Sequence, residues 1–237
     1  MIPNGVIEIS DCAFLNCRTL HQITIPGTVT KIGNWAFNNT SLEVIVIPDS
    51  VTSIGYGIVQ DCTNLVSAAI GNGVVEIPYR MFENCNNLSQ ITIGSKVKYI
   101  GNRAFWYCTS LTTLSLPEGL EEIGVAAFDG CSGLETLTIP SSVQKIESDA
   151  FYGCSNLDLK LPPHLTPLDD GSYQVVSKLY YSGNFHYDDA YQVLKIVNQE
   201  RAKAGLSALA MDESLLESAM QRAAECCLDF SHTRPSG

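Results

Sequence analysis

The sequence has few charged residues and no long apolar run, and each shortage excludes a class of protein. Only 16% of the 237 residues are charged, and 14 Lys and Arg stand against 25 Asp and Glu, which gives a net charge of −11. An acidic chain without a basic stripe is not expected to bind nucleic acid or an anionic membrane surface. No run reaches the roughly 18 apolar residues of a membrane-spanning helix, so we expect no membrane insertion.

Motifs for catalysis and cofactor binding are also missing from the sequence. It contains no glycine-rich phosphate loop, no Ser/His/Asp set and no CxxC pair, and it has only 4 His. A zinc site needs several Cys or His ligands at suitable spacing. We therefore expect no catalytic residue, no complete metal site and no cofactor in this chain.

What the sequence does contain is one unit repeated seven times. A Phe recurs at steps of 22 or 23 residues, and Val59 takes its place in the one gap. The recurring residues are Phe14, Phe37, Phe82, Phe105, Phe128 and Phe151. A fixed period of roughly 20–30 residues is typical of a solenoid, in which one supersecondary unit stacks on copies of itself.

Each unit predicts one coil with a short strand. A Leu follows the Phe, then an alternating run such as Ile23–Ile25 that ends in Pro or Gly, then a Val/Leu-x-x-Ile segment. Period two with β-branched residues predicts a strand, and Pro ends it because it cannot donate to a ladder. Ala-Phe-x-x-Cys predicts a single helical or 3₁₀ turn. Stacked coils would bury columns of Phe, Leu and Ile/Val.

Six of the 9 cysteines share one repeat position, three residues after the Phe or Val59. They are Cys17, Cys62, Cys85, Cys108, Cys131 and Cys154. We predict a column of buried free thiols, because cysteine inside a protein behaves as a small hydrophobe. Disulfides within the column are an alternative, since neighbouring coils bring the Cα atoms within reach. A metal site is a further alternative, although no His shares the spacing.

The consensus AFxxCxxLxxIxIPxxVxxIG resembles the repeat of the BspA-like leucine-rich repeat family, over residues 1–162. The resemblance implies a parallel-β solenoid of a bacterial or protist surface protein, often tied to adhesion. We therefore expect an extracellular or cell-surface location. No signal peptide is visible, and residues 1–6 align with the middle of a repeat, so we expect residue 1 to lie within a coil of a longer protein and any export signal to lie upstream.

Residues 163–186 predict a linker or cap with one short strand at 173–176. Terminal coils of a solenoid need a cover for their apolar end. A cluster of aromatic residues supplies apolar area for such a cover, and a carbohydrate-stacking platform is the alternative. The cluster consists of Tyr180, Tyr181, Phe185 and Tyr187.

Residues 187–237 predict two amphipathic helices, at 188–204 and 212–229, and resemble the opening of the CAP superfamily of cysteine-rich secretory, antigen 5 and pathogenesis-related proteins. The resemblance matches His232 to the first His of a metal-binding cavity, whose two Glu and second His are absent from this sequence. We therefore expect no complete metal site at His232. The fold class we predict is a mainly β repeat solenoid with a two-helix C-terminal segment, whose unpaired apolar face favours self-association or docking.

The alternating runs place small, neutral, hydroxyl-rich side chains on their outward face. This face suits contact with a protein or glycan of a host or bacterial surface, and β-propensity alone explains the same composition. The alternative function is a spacer that carries a CAP domain, whose complete form is a metal-dependent hydrolase or a ligand-binding domain. The candidate binding residues are Gln22, Thr24, Gln90, Thr92, Thr113, Ser115, Thr136 and Thr138.

Overall fold

The structure, a computed structural model, describes residues 1–168 and 170–175. The chain divides into two units, Met1–Val176 and Ser177–Gly237. The first unit is a parallel β-solenoid, as the repeat predicted. Across its described part, the regular elements are short strands, and none of the described residues forms a helix that could cross a membrane.

One row of strands follows the Leu in five of the coils and forms two hydrogen-bonded groups, of three strands and of two; we call the whole row the first sheet. Residues one coil apart pair in register, so Ser67 lies opposite Gln90 and Ala69 lies opposite Thr92. Thr113 and Thr136 form an isolated parallel bridge between coils. The strands are β3 (Val44–Ile47), β5 (Ser67–Ile70), β7 (Gln90–Thr92), β10 (Thr136–Thr138) and β12 (Asp158–Lys160).

The strand expected at Ile23–Ile25 in the first coil does not form. The run still alternates, with Thr24 exposed and Ile25 buried. The amide of Glu43 in the next coil donates to the carbonyl of His21 at 3.2 Å. The one-residue deletion before Leu42 does not account for the missing strand, because it lies outside the run and Lys31 still pairs in register with Ser53 across it.

A second sheet, which the repeat analysis did not predict, is built from two-residue strands at the x-Ile end of each coil. The Ile points inward and the residue before it faces solvent in most coils. All pairs between coils are parallel and join like positions, for example Tyr99 with Glu122. The strands are β1 (Glu8–Ile9), β2 (Lys31–Ile32), β4 (Ser53–Ile54), β6 (Glu76–Ile77), β8 (Tyr99–Ile100), β9 (Glu122–Ile123) and β11 (Lys145–Ile146).

The predicted Phe column forms the centre of the core. Rings of neighbouring coils stack nearly parallel, and the centroids of Phe105 and Phe128 are 5.1 Å apart with planes at 2°. Val59 is fully buried where the column lacks a ring. At the two ends, Phe14 and Phe151 are only partly buried, because each lies in a coil next to the end of the stack.

The predicted thiol column is buried in four coils: Cys62, Cys85, Cys108 and Cys131. Each of these thiols donates to a backbone carbonyl of the preceding coil, as Cys108 does to Phe82 at 3.2 Å. The prediction of burial is wrong for Cys17, which is exposed, and holds only in part for Cys154. Cys17 lies in the first coil, and none of the described coils precedes it to offer a carbonyl.

The segment around each Phe is a pair of turns and not the helical or 3₁₀ turn that we expected. The residues two before and two after the Phe position have positive φ, as Trp35 (50°) and Asn39 (53°) do on either side of Phe37. Positive φ belongs to the left-handed region, so a right-handed helix cannot continue through these residues. We call the segment between these two left-handed residues the Phe corner.

A hairpin lies at the C-terminal edge of the second sheet. It consists of β13 (Leu165–Pro167) and β14 (Tyr173–Val175), so the expected strand at 173–176 is present. Strand β14 pairs antiparallel with both β13 and β11. Leu165 joins the hydrophobic core. The hairpin thereby covers a sheet edge whose backbone groups would otherwise be unpaired.

The remaining expectations fall on residues outside those that the structure describes. They are the helices at 188–204 and 212–229, the aromatic cluster of Tyr180 to Tyr187, and His232.

Candidate binding surface

The eight candidate residues all lie exposed on the outward face of the first sheet or of the matching run in the first and fifth coils. They project outward because side chains alternate along each strand and the intervening Ile or Leu enters the core. The parallel register then repeats the same position from coil to coil, as with Thr138 opposite Lys160. We call this surface the first-sheet face.

Exposed valines lie in the part of this face that belongs to the second coil. Val44 and Val46 are 48% and 55% exposed. On either side along the solenoid, the same rows carry Thr24 and Thr92. An apolar centre with a polar rim is the usual anatomy of a protein–protein interface.

The outward rows of the first-sheet face are uncharged until the last coil. There the ladder ends in Asp158 and Lys160, whose carboxylate oxygen and ammonium nitrogen are 3.9 Å apart. Charges at the edge strand of a sheet discourage pairing with another chain. Contacts on the rest of the face therefore depend on shape, apolar area and hydroxyl hydrogen bonds.

The second sheet carries the charges instead. Lys31 pairs with Glu8 at 2.8 Å between neighbouring coils. Lys98 and Tyr99 both donate to Glu121, at 2.5 and 3.0 Å. These hydrogen bonds lower the pKa of the Glu121 carboxyl, and the bond that Lys98 donates to Glu121 raises the pKa of Lys98. Exposed pairs of this kind contribute little to stability, but they give the two sheets different surfaces.

A buried carboxylate at a Phe corner is a feature that the repeat analysis missed. Glu83 accepts a hydrogen bond from Gln60 at 3.0 Å, and its second oxygen lies 3.1 Å from the Arg80 guanidinium. Burial raises the pKa of Glu83, and the Arg80 charge opposes that shift. Because Arg80 belongs to the same corner and Gln60 to the preceding one, Glu83 links two adjacent corners.

Burial disfavours nucleophilic and metal-binding chemistry at the buried thiols of the column. Burial raises the pKa of Cys85 and Cys108 well above the ordinary value, and it raises the pKa of Cys154 to about 11. Catalysis and metal ligation both need the thiolate, which these sites disfavour. Among the described residues, no three His, Cys, Asp or Glu side chains come together as a metal site.

Three exposed aromatic residues at consecutive corners were also missed. Trp35, Tyr56 and Tyr79 are between 38% and 41% exposed and lie edge to face in sequence along the solenoid. Trp35 lies two residues before Phe37, whereas Tyr56 and Tyr79 lie three residues before Val59 and Phe82. The sequence signal that would have indicated them is an aromatic residue two or three residues before the Phe position in successive repeats. We call this cluster the aromatic ridge.

The solenoid fold and the exposed first-sheet face define a repeat protein whose surface suits binding. Its interior residues stabilise the stack of coils. Residues 1–112 and 98–183 match the family described as BspA type Leucine rich repeat region, in 6 copies. The chain therefore belongs to this leucine-rich repeat family. Residues 194–237 match the Cysteine-rich secretory protein family, in agreement with the CAP resemblance.

Solved leucine-rich repeat proteins share the fold. One from Eubacterium ventriosum is 34% identical with a TM-score of 0.68, covering 73% of this chain and 46% of the other. One from Bacteroides ovatus is 31% identical with a TM-score of 0.55, covering 65% and 46%. The T. pallidum leucine rich repeat protein is 28% identical with a TM-score of 0.51, covering 68% and 67%.

The match covers 46% of the first two of these solved chains, which is less than half of each. No curated protein matches the chain. The comparisons therefore place the chain in a bacterial type of leucine-rich repeat protein, which is consistent with a non-enzymatic binding module.

Proposed function

We propose that the solenoid is an adhesion module that binds a protein of a host or bacterial surface through the first-sheet face, on a protein located at the cell surface or outside the cell. The observation that carries the proposal is the pair of exposed valines, Val44 and Val46, on an uncharged part of the sheet face. Exposed apolar area on a folded surface marks interaction sites when polar residues surround it.

The length of the face suits an extended contact with a protein partner. Strands lie about 4.8 Å apart, so seven coils span roughly 30 Å. A standard protein interface takes about 800 Å² from each partner, so residues beside the short strands must contribute to the contact as well. Because the outward rows carry no aromatic ring, stacking on sugar rings has no platform there, and a protein partner is favoured over a glycan.

A substitution on each sheet tests this proposal. Val46→Glu places a charge in the centre of the first-sheet face, whereas Val75→Glu places the same charge at a valine that is 46% exposed and precedes strand β6 of the second sheet. We expect Val46→Glu to weaken binding to an immobilised surface or matrix protein by about tenfold or more, since a central interface residue commonly contributes more than 1 kcal/mol. Val75→Glu should leave the affinity unchanged.

The measurement is biolayer interferometry of the full chain against a panel of host matrix proteins and bacterial surface proteins. Circular dichroism melting curves confirm that both variants fold. If the wild-type chain binds no member of the panel, or both variants bind like wild type, the first-sheet face is not the adhesive surface.

A spacer that carries a CAP domain is the second candidate function. It is favoured by the match of residues 194–237 to the Cysteine-rich secretory protein family directly after the solenoid. In that case the solenoid separates the CAP part from its anchor and needs no ligand of its own. Absence of any partner for the first-sheet face in the binding panel would support it.

A further inference from the structure

The aromatic ridge forms a rigid row of rings on three consecutive coils. The centroids of Trp35 and Tyr56 are 4.8 Å apart with planes at 86°, and those of Tyr56 and Tyr79 are 6.5 Å apart at 60°. The Arg80 guanidinium lies 4.8 Å from the Tyr79 centroid. The three rings are therefore in edge-to-face contact, and the plane of each ring is rotated relative to that of its neighbour.

The backbone at Trp35 makes the presence of a large ring there costly. Its φ is +50°, a left-handed conformation that Gly adopts freely and other residues adopt at a cost. The same repeat position in the next coil is Gly57, with φ of +60°. The indole packs against that glycine, where a Cβ atom would lie 2.8 Å from Trp35 Cδ1. The same position carries Arg80 and Ala126 in other coils, also with positive φ, so the backbone does not require an indole at Trp35.

The polar tips of the ridge are free within the described part of the chain. The indole N–H of Trp35 and the hydroxyls of Tyr56 and Tyr79 form no hydrogen bond with described residues. Two other aromatic side chains of the solenoid are hydrogen-bonded: the Trp106 indole N–H donates to Asp129 at 2.9 Å, and the Tyr99 hydroxyl donates to Glu121 at 3.0 Å. The ridge therefore combines ring surface with donors that a ligand can use.

The size of the ridge limits what can bind. Aromatic side chains have about 150–250 Å² each, so three rings at two-fifths exposure offer roughly 250 Å². A globular partner takes about 800 Å² from each side, which is several times more. A narrow, extended ligand that lies along the coils fits this area.

We propose that Trp35, Tyr56 and Tyr79 bind a neutral glycan chain by stacking of its sugar rings. The apolar C–H face of a sugar ring packs on an aromatic ring, and its hydroxyls pair with the free indole and phenol groups. Residues 1–165 carry 8 Lys and Arg against 15 Asp and Glu, a net charge of −7 that disfavours anionic glycans. Because successive ring planes are turned by 86° and 60°, the ridge suits a helical glucan more than a flat ribbon. This site is separate from the first-sheet face.

Isothermal titration of the full chain with laminarihexaose, a helical glucan fragment, and with cellohexaose, a flat one, tests the proposal. We expect laminarihexaose to bind more tightly. Tyr56→Leu removes the central ring but keeps an apolar side chain, and should weaken laminarihexaose binding about tenfold, the worth of one well-packed ring contact. Tyr152→Leu is the matched control, since Tyr152 is 71% exposed at another corner and should leave binding unchanged.

Melting temperatures of both Leu variants should stay close to wild type, because surface substitutions rarely change stability by much. Val46→Glu should retain laminarihexaose binding, which separates this site from the first-sheet face. The proposal is overturned if wild type binds neither oligosaccharide, if cellohexaose binds as tightly as laminarihexaose, or if Tyr56→Leu and Tyr152→Leu have equal effects. Loss of a protein ligand by Tyr56→Leu without any glycan binding would also overturn it, in favour of a protein contact.

Discussion

The side chain of Phe105 shows how one residue stabilises two interfaces of the stack. Its ring contacts the ring of Phe82 on one side and that of Phe128 on the other, at centroid distances of 5.2 and 5.1 Å. Its carbonyl accepts the thiol of Cys131 at 3.0 Å from the next coil. A residue at this repeat position therefore contributes apolar burial and also accepts a hydrogen bond between coils.

Truncation of this ring should be strongly destabilising. We expect Phe105→Ala to lower the free energy of unfolding by about 3–5 kcal/mol, since it loses apolar transfer energy and leaves a cavity. Phe14→Ala, at the same repeat position in the partly buried first coil, should cost clearly less. Urea unfolding of both variants measures the difference, and equal losses would mean that the column is not the principal source of stability.

The column was predictable because burial repeats at a strict spacing. Leu88, Leu111 and Leu134 are all fully buried at the position that the sequence assigned to the interior. The exposure of Cys17 was not predictable from the repeat, because its sequence context matches that of buried Cys85 and only the neighbouring coil differs. The aromatic ridge was not predicted for another reason. Trp35 and Tyr56 occupy different repeat positions, so alignment of the repeats separates two residues that are adjacent in space.

Among the elements of the coil, the Phe corner was the hardest to anticipate. Its second left-handed residue is signalled by Asn, Asp or Gly in most coils, as at Asn84 and Gly130, since these types tolerate positive φ. The first left-handed residue carries no such signal, because Arg80 and Ala126 occupy it in other coils. The second-sheet strands are two residues long, too short for an alternating pattern to reveal them.

The corner geometry predicts opposite effects for two neighbouring alanines. Ala126 has φ of +52°, so Ala126→Gly should raise the free energy of unfolding by about 1 kcal/mol through relief of left-handed strain. Ala127 is fully buried and has no positive φ, so Ala127→Gly should lower that free energy by about 1 kcal/mol. Thermal and urea unfolding compare the pair, and a destabilising Ala126→Gly would show that the corner is not strained there.

At the scale of the whole molecule, the two sheets finish differently at the C-terminal end of the solenoid. The second sheet ends in the antiparallel hairpin of β13 and β14. The first sheet ends in β12, whose outward residues Asp158 and Lys160 are charged. Both devices limit edge-to-edge association, so self-association of the chain is not expected to begin at the described C-terminal edges of the solenoid.

The sequence places the drive for self-association in the predicted C-terminal helices instead. Their predicted apolar face includes Val193, Val197 and Leu215, and burial of each such side chain is worth about 1.5–3 kcal/mol. We therefore expect the chain of 237 residues to dimerise more than a chain ending at Val175, which keeps the hairpin. Multi-angle light scattering of both chains at matched concentrations measures this, with Val197→Glu in the longer chain as the control that should restore the monomer. Equal monomeric masses for the two chains would contradict an associating face in residues 187–237.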